Sequence, residues 1–76
     1  TMQERVEVCR EHLKRAIKWK GERLGLVETR RHYSNYFKGV PNFKEHRMTL
    51  VTSESSAEVF DKLDEIDQLF ADYAFA

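Results

Sequence analysis

Cysteine, proline and glycine are scarce in this sequence of 76 residues, and each scarcity narrows the possible structures. The single cysteine, Cys9, cannot form an intramolecular disulfide and cannot by itself form a zinc site, so folding must rest on packing. The three glycines and the one proline all lie between Gly21 and Pro41. Both flanking segments are therefore without helix breakers, which favours helices.

Long apolar runs are also missing. The sequence contains no run of about 18 apolar residues, the length needed to span a membrane. No signal-peptide pattern is present at its start, so we expect a cytoplasmic protein. The length predicts one domain over residues 1–76 with a thin core, too small for a deep catalytic cleft. A charged fraction of 34% predicts a heavily solvated surface.

The net charge of zero hides a strong asymmetry. Residues 1–47 hold 12 Lys and Arg against 6 Asp and Glu, whereas residues 48–76 hold 1 against 7. The two halves therefore carry charges of +6 and −6. Such halves can attract each other within the fold, and the basic one can also present a positive surface to an anionic partner.

Apolar residues at helical spacing predict a first helix over residues 3–20. Its main apolar face carries Val6, Cys9, Leu13, Ala16 and Ile17, and an adjoining face with Val8, His12 and Trp19 predicts a second neighbouring element. A basic stripe of Arg10, Lys14 and Lys18 follows one flank at steps of four. A second helix is predicted over Leu26–Lys38, preceded by Gly25 and ended by Gly39 and Pro41.

Two more helices are predicted in the acidic half and just before it. A short third helix begins after Asn42 as its cap and carries Phe43, Leu50 and Val51. The fourth begins after Ser55, which forms a capping-box pattern with Glu58, and its apolar stripe is Val59, Leu63, Ile66, Phe70 and Tyr73. The predicted fold is all-α, a small four-helix bundle with short loops.

Catalytic and metal sites find little support in the sequence. Cys9 lies on an apolar face, where we expect a buried, protonated thiol. The three histidines, His12, His32 and His46, have no ligand-pair spacing, and the glycines do not form a phosphate-binding loop. We predict no catalytic residue and no metal site in this chain.

The basic cluster is the feature with a plausible chemical role. Cations neutralise phosphates, and aromatic faces stack on bases, so interleaved basic and aromatic residues are compatible with RNA binding. The cluster consists of Arg10, Lys14, Lys18, Lys20, Arg23, Arg31 and Lys38, with Trp19, Tyr33 and Tyr36 between them. The alternative is that the cations form helix-surface pairs, such as Glu11 with Arg15, and that the aromatic side chains belong to the core.

Two arginines are predicted to point toward the core, Arg30 and Arg47, because apolar residues flank them at helical spacing. A buried unpaired charge is costly, so each should meet a carboxylate or the carbonyls of a helix end. Asp67 is the predicted partner of Arg30. Arg31 is then the better candidate for RNA contact.

The segment 21–39 resembles the C-terminal helical domain of bacterial tRNA-dihydrouridine synthases. That family shows a glycine, then Arg-Arg/Lys-His, then an aromatic pair and Lys-Gly, and the resemblance extends over nearly the whole chain through His12-Leu13, Arg47 and the closing acidic helix. The matching residues are Gly25, Arg30, Arg31, His32, Tyr36, Lys38 and Gly39. Asn35 stands where many relatives have tryptophan, so stacking at that position is in doubt.

The resemblance implies a tRNA-binding accessory domain. Family members join it to a TIM barrel that binds FMN, carries a catalytic cysteine and uses NADPH to reduce uridine. Neither the barrel nor a match to its cysteine is present in this sequence, so no cofactor is expected on this chain. The resemblance implies RNA contacts for Arg31, His32 and Lys38, and charge alone adds Lys14, Lys18 and Arg23.

Two other functions stay open on the residues alone. A helical protein-interaction module would use the basic face to dock an acidic partner, with apolar anchors such as Trp19 or Tyr36. An independent small enzyme would need convergent titrating groups, which the predicted helices do not assemble.

Overall fold

The computed structural model describes residues 1–73, in which four helices and no strand occur. They are α1 (Met2–Arg30), α2 (Tyr33–Tyr36), α3 (Lys44–Thr52) and α4 (Ser56–Leu69). Short connections join them around one hydrophobic core. This confirms the predicted all-α four-helix bundle. No helix in this part of the chain is long and apolar enough to cross a membrane.

The longest helix, α1, consists of two arms that meet at a sharp break. Gly21 has φ 85° and ψ 167°, a conformation that is essentially restricted to glycine. A straight helix of 29 residues would be about 43 Å long, yet the longest dimension of the domain is 33 Å. The arms 2–20 and 22–30 therefore turn back on each other, and Gly25 of the second arm lies against Ile17 of the first.

The predicted second helix, Leu26–Lys38, is wrong in its bounds. Gly25 lies inside the second arm, because close packing against the first arm requires a residue without a side chain. The helix ends at Arg30, and a turn separates it from the single helical turn of α2. Gly39 does take the left-handed conformation expected after a helix, with φ 84°.

The core forms where α1 and α4 pack together, with α2 and α3 closing its sides. The predicted apolar stripes of α1 and α4 are confirmed. Fully or nearly fully buried are Val6, Cys9, Leu13, Leu50, Val59, Leu63 and Ile66, together with Tyr33 and Phe37 from the α2 region. Ile17, Phe70 and Tyr73 are half-buried and pack against this cluster. Ser55 caps α4 as predicted, accepting a hydrogen bond from the Glu58 amide at 3.4 Å.

The third helix is confirmed, but its predicted cap is wrong. Asn42 has φ 57° and belongs to the preceding turn. Phe43 occupies the N-cap position, and its ring is buried beside Phe37 at a centroid distance of 5.0 Å. Apolar packing therefore sets the start of α3, in place of a side-chain hydrogen bond.

The adjoining face of α1 is covered only in part within residues 1–73. His12 is half-buried and contacts Tyr36 of α2 at 3.1 Å. Val8 is 54% exposed and Trp19 is 80% exposed. The predicted second neighbour is therefore confirmed at His12, where α2 packs against this face, and not at Val8 and Trp19, which stay exposed.

The two arginines predicted to point inward have different environments. Arg30 is half-buried, and its Nη2 donates to the carbonyl oxygen of Ser53, the C-cap of α3, at 2.9 Å. A helix-end carbonyl is therefore its partner, and the predicted pairing with Asp67 is wrong. Arg47 is exposed, so its predicted inward orientation is also wrong.

Candidate nucleic-acid interface

A cationic groove opens beside α2 and α3. Three exposed cations line it, Lys38, Lys44 and Arg47, and its volume is about 450 Å³. The remaining lining residues are Tyr33, Ser34, Phe37, Gly39, Val40, Asn42 and Phe43. No carboxylate lines the groove, and none of the three cations forms an ion pair within the described residues.

The turn between α2 and α3 creates this convergence. Gly39 and Asn42 both have positive φ, which reverses the chain and brings the start of α3 back beside Lys38. Tyr73 supports the turn by donating from its hydroxyl to the Gly39 carbonyl at 3.0 Å. Lys44 and Arg47 are three residues apart and so project from one side of α3.

The N-terminus of α3 adds partial positive charge at the same place. Phe43, the N-cap residue, makes no side-chain hydrogen bond to the first turn. The first amides of the helix therefore lack a side-chain acceptor, and the helix dipole is positive at this end. Glu45 is the acidic residue of that turn.

Of the six residues predicted to contact RNA, only Lys38 lines the cationic groove. Arg31 and His32 lie at the other end of α2, which is one turn long, or about 6 Å. Arg31 is exposed and His32 is half-buried. His32 packs its ring against His12 of α1 at a centroid distance of 4.6 Å, and neither it nor Arg31 lines the groove.

The other three predicted residues lie on the arms of α1 and do not line the groove. Lys14, Lys18 and Arg23 are all exposed. Lys14 lies 3.6 Å from Glu11 as an exposed ion pair. Arg10, from the same predicted stripe, is held by Glu7 and by Asp64 of α4. The basic stripe of α1 is thus partly neutralised within the fold.

Sequence reasoning did not identify Lys44 and Arg47 as candidate binding residues. Their spacing of three residues, directly after a turn that contains glycine and proline, could have indicated two cations on one side of a helix. The assignment of Arg47 to the core concealed that signal, because its apolar neighbours Phe43 and Leu50 are buried while its own side chain is not.

A histidine pair lies where the first arm of α1 meets the turn before α2. The rings of His12 and His32 are 4.6 Å apart, and His12 Nδ1 is 3.1 Å from the hydroxyl of Tyr36. Burial lowers the pKa of His12, and the neighbouring His32 lowers it further. Residues 1–73 contain no group of three His, Cys, Asp or Glu side chains placed to hold a metal ion.

A second groove, here called the tryptophan groove, runs along the exposed face of the first arm of α1. Its volume is about 740 Å³. It is lined by Glu7, Val8, Glu11, His12, Arg15, Ala16, Trp19, Lys20, Glu28 and Tyr36. Three carboxylates lie in this lining, and Glu28 pairs with Lys20 at 2.6 Å. The carboxylates outnumber the two lining cations, Arg15 and Lys20, so this groove suits a phosphate less well than the cationic groove does.

The only cysteine is not accessible for chemistry. Cys9 is completely buried, and burial raises the pKa of its thiol to about 12. A thiol that stays protonated at neutral pH is neither a nucleophile nor a surface proton donor.

The fold and its surface define a small all-helical domain with a cationic groove free of carboxylates. The family model of dihydrouridine synthase matches residues 1–73, the whole described part of the chain. The chain belongs to the dihydrouridine synthase family. No curated protein and no solved structure gives a significant match.

Proposed function

We propose that residues 1–76 form the C-terminal helical domain of a dihydrouridine synthase and bind tRNA for a separate catalytic domain. The cationic groove is the observation that carries this proposal. Lys38, Lys44 and Arg47 lie on one surface, and no carboxylate is among the residues that line the groove. A polyanion is the partner that such a surface favours.

The chemistry of the groove suits an RNA backbone better than a base. Lysine and arginine neutralise phosphates and release condensed counterions, while the amides at the start of α3 can donate hydrogen bonds to a phosphate oxygen. Arg31 and His32 are included as RNA contacts on the family resemblance alone. Backbone contacts carry no sequence information directly, so binding should depend on RNA shape and show weak sequence preference.

The residues present do not fit an FMN site. The lining of the larger groove has three carboxylates against two cations, Arg15 and Lys20, which disfavours a flavin phosphate. The only thiol is buried with a raised pKa. In this proposal FMN, NADPH and the reduction of uridine belong to a TIM-barrel domain of the same enzyme in the cytoplasm. The chain described here contributes binding and orientation of the tRNA.

Titration of bulk tRNA into the purified chain at several salt concentrations tests the proposal. Binding should weaken steeply with salt, and each lost phosphate contact should reduce the slope of log K against log salt by about one. Lys38→Glu, Lys44→Glu and Arg47→Glu should each weaken binding while the circular dichroism spectrum stays that of the wild type. Arg31→Glu should weaken tRNA binding as well.

Two further variants sharpen the assignment. Glu45→Lys adds a cation at the edge of the groove and should strengthen binding, a gain that unfolding cannot produce. Lys18→Glu, on the first arm of α1, tests whether the predicted α1 residues contribute. The proposal fails if the chain does not bind tRNA at low salt. It also fails if the charge-reversing substitutions in the groove leave tRNA binding unchanged. Weakly salt-dependent binding of an acidic protein would instead favour the interaction-module alternative.

A further inference from the structure

Along the first arm of α1 runs a stripe whose two apolar ends, Val8 and Trp19, are left largely exposed by residues 1–73. His12, between them, is half-buried and contacts His32 and Tyr36. Val8, His12, Arg15 and Trp19 follow one another at steps of four, three and four residues. This is the alternating spacing of a coiled-coil seam. The stripe spans about 16 Å of helix, and its two ends are 54% and 80% exposed.

We propose that a second copy of this chain covers the stripe, with the two first arms packed antiparallel about a two-fold axis. The axis passes midway between residues 13 and 14. It places Val8 of each copy opposite Trp19 of the other, so both large exposed apolar side chains become buried. A two-fold interface needs a self-complementary surface, and this stripe meets that condition.

Two charges, that of Arg15 in the stripe and that of Glu11 beside it, agree with the same register. Glu11 and Arg15 lie on one flank of the helix, only about 40° apart in projection. The two-fold axis brings Glu11 of one copy beside Arg15 of the other, which forms two equivalent ion pairs. A parallel arrangement would instead place like charges opposite each other.

The fold leaves these groups available for a partner. Glu11 has Lys14 as its partner within the chain, at 3.6 Å, and both side chains are more than half exposed. Ion pairs of this kind contribute little, so exchange for an interfacial pair costs little. Arg15 is exposed and forms no ion pair among the described residues.

Sedimentation analysis of the purified chain over a wide concentration range tests the proposal without RNA. Trp19 is the only tryptophan, so its fluorescence reports on the same interface. We expect a monomer–dimer equilibrium, with emission moving to shorter wavelength as the dimer forms. Trp19→Ala should raise the dissociation constant at least about tenfold, whereas Leu24→Ala, a matched exposed leucine on the second arm, should leave it unchanged.

A mixing experiment tests the register. Glu11→Arg and Arg15→Glu should each weaken self-association, because each homodimer then contains two like-charged pairs. An equimolar mixture of the two variants should associate as well as the wild type, because the heterodimer restores both ion pairs. A chain that stays monomeric at every concentration overturns the proposal, as does a dimer insensitive to Trp19→Ala or a mixture that does not recover. None of these outcomes bears on tRNA binding.

Discussion

Gly25 lies directly against the backbone of Ile17. A Cβ atom at position 25 would approach the Ile17 amide nitrogen to 2.8 Å and its Cα to 2.9 Å. Backbone atoms cannot move aside as a flexible side chain can. At this contact the packing of the two arms of α1 is therefore sensitive to side-chain size.

Gly25→Ala should destabilise the domain by about 1–3 kcal/mol, because overpacking at a rigid contact outweighs the better helix propensity of alanine. Urea denaturation followed by circular dichroism measures the change. Lys18→Ala, at an exposed position of the first arm, is the matched control and should be close to neutral. A stability equal to that of the wild type would show that the arms separate at little cost.

Arg30→Met should also reduce stability, by about 1–3 kcal/mol. The substitution removes the donor to the buried Ser53 carbonyl, which ties the end of α1 to the end of α3. Arg31→Met, at the next position, removes the same charge from an exposed side chain and should change the free energy of unfolding little. Equal losses for the two variants would assign the effect to charge and not to the hydrogen bond.

Cys9 should resist thiol reagents in the folded domain. Its thiol is buried and has a pKa raised to about 12, so both access and the thiolate fraction are low near neutral pH. Reaction with a chromogenic disulfide should be slow in buffer and fast in denaturant at the same pH. As a control, Ser34→Cys in a Cys9→Ala background places a thiol at an exposed position and should react rapidly without denaturant.

His12 should make the domain less stable as the pH falls below neutrality. Its native pKa lies below the ordinary value of 6.5, so near that pH the unfolded chain binds more protons at this position. This contribution to stability is present above pH 6.5 and is lost as the pH falls through the native pKa.

Denaturation at about pH 7 and about pH 5.5 measures this loss, and an NMR titration locates the native midpoint of His12. His12→Gln should lose less stability over that interval. The carboxylates with lowered pKa values, Glu4, Glu28 and Glu65, titrate at lower pH and do not contribute within it. An equal loss in wild type and variant would contradict the prediction.

The predicted helices agree with the structure where amphipathic periodicity was strong. α4 has one clear apolar stripe and a Ser55 cap, and the first arm of α1 has a stripe that ends near Gly21. The helix bounds between Gly21 and Pro41 were harder to predict because the glycines of this segment have different roles. Gly21 turns the chain, Gly25 permits close packing inside a helix, and Gly39 forms a turn. Composition alone does not distinguish these roles.

The candidate site was predictable only in part for a related reason. Lys38 was identified and lines the cationic groove, but Lys44 and Arg47 were not. Their meeting with Lys38 depends on the reversal at residues 39–42, which helical periodicity does not describe. The contributions of Arg31, His32, Lys14, Lys18 and Arg23 to RNA binding stay predictions.

The sequence by itself determined the all-α class, the burial of Cys9 and the apolar faces of α1 and α4, because these depend on spacing along a regular helix. Only the tertiary structure decided where α1 turns back, which carbonyl accepts the hydrogen bond of Arg30 and which cations line the same groove. These features depend on distances between residues far apart in the chain. Such distances are set by backbone reversals and by close contacts such as that of Gly25 with Ile17.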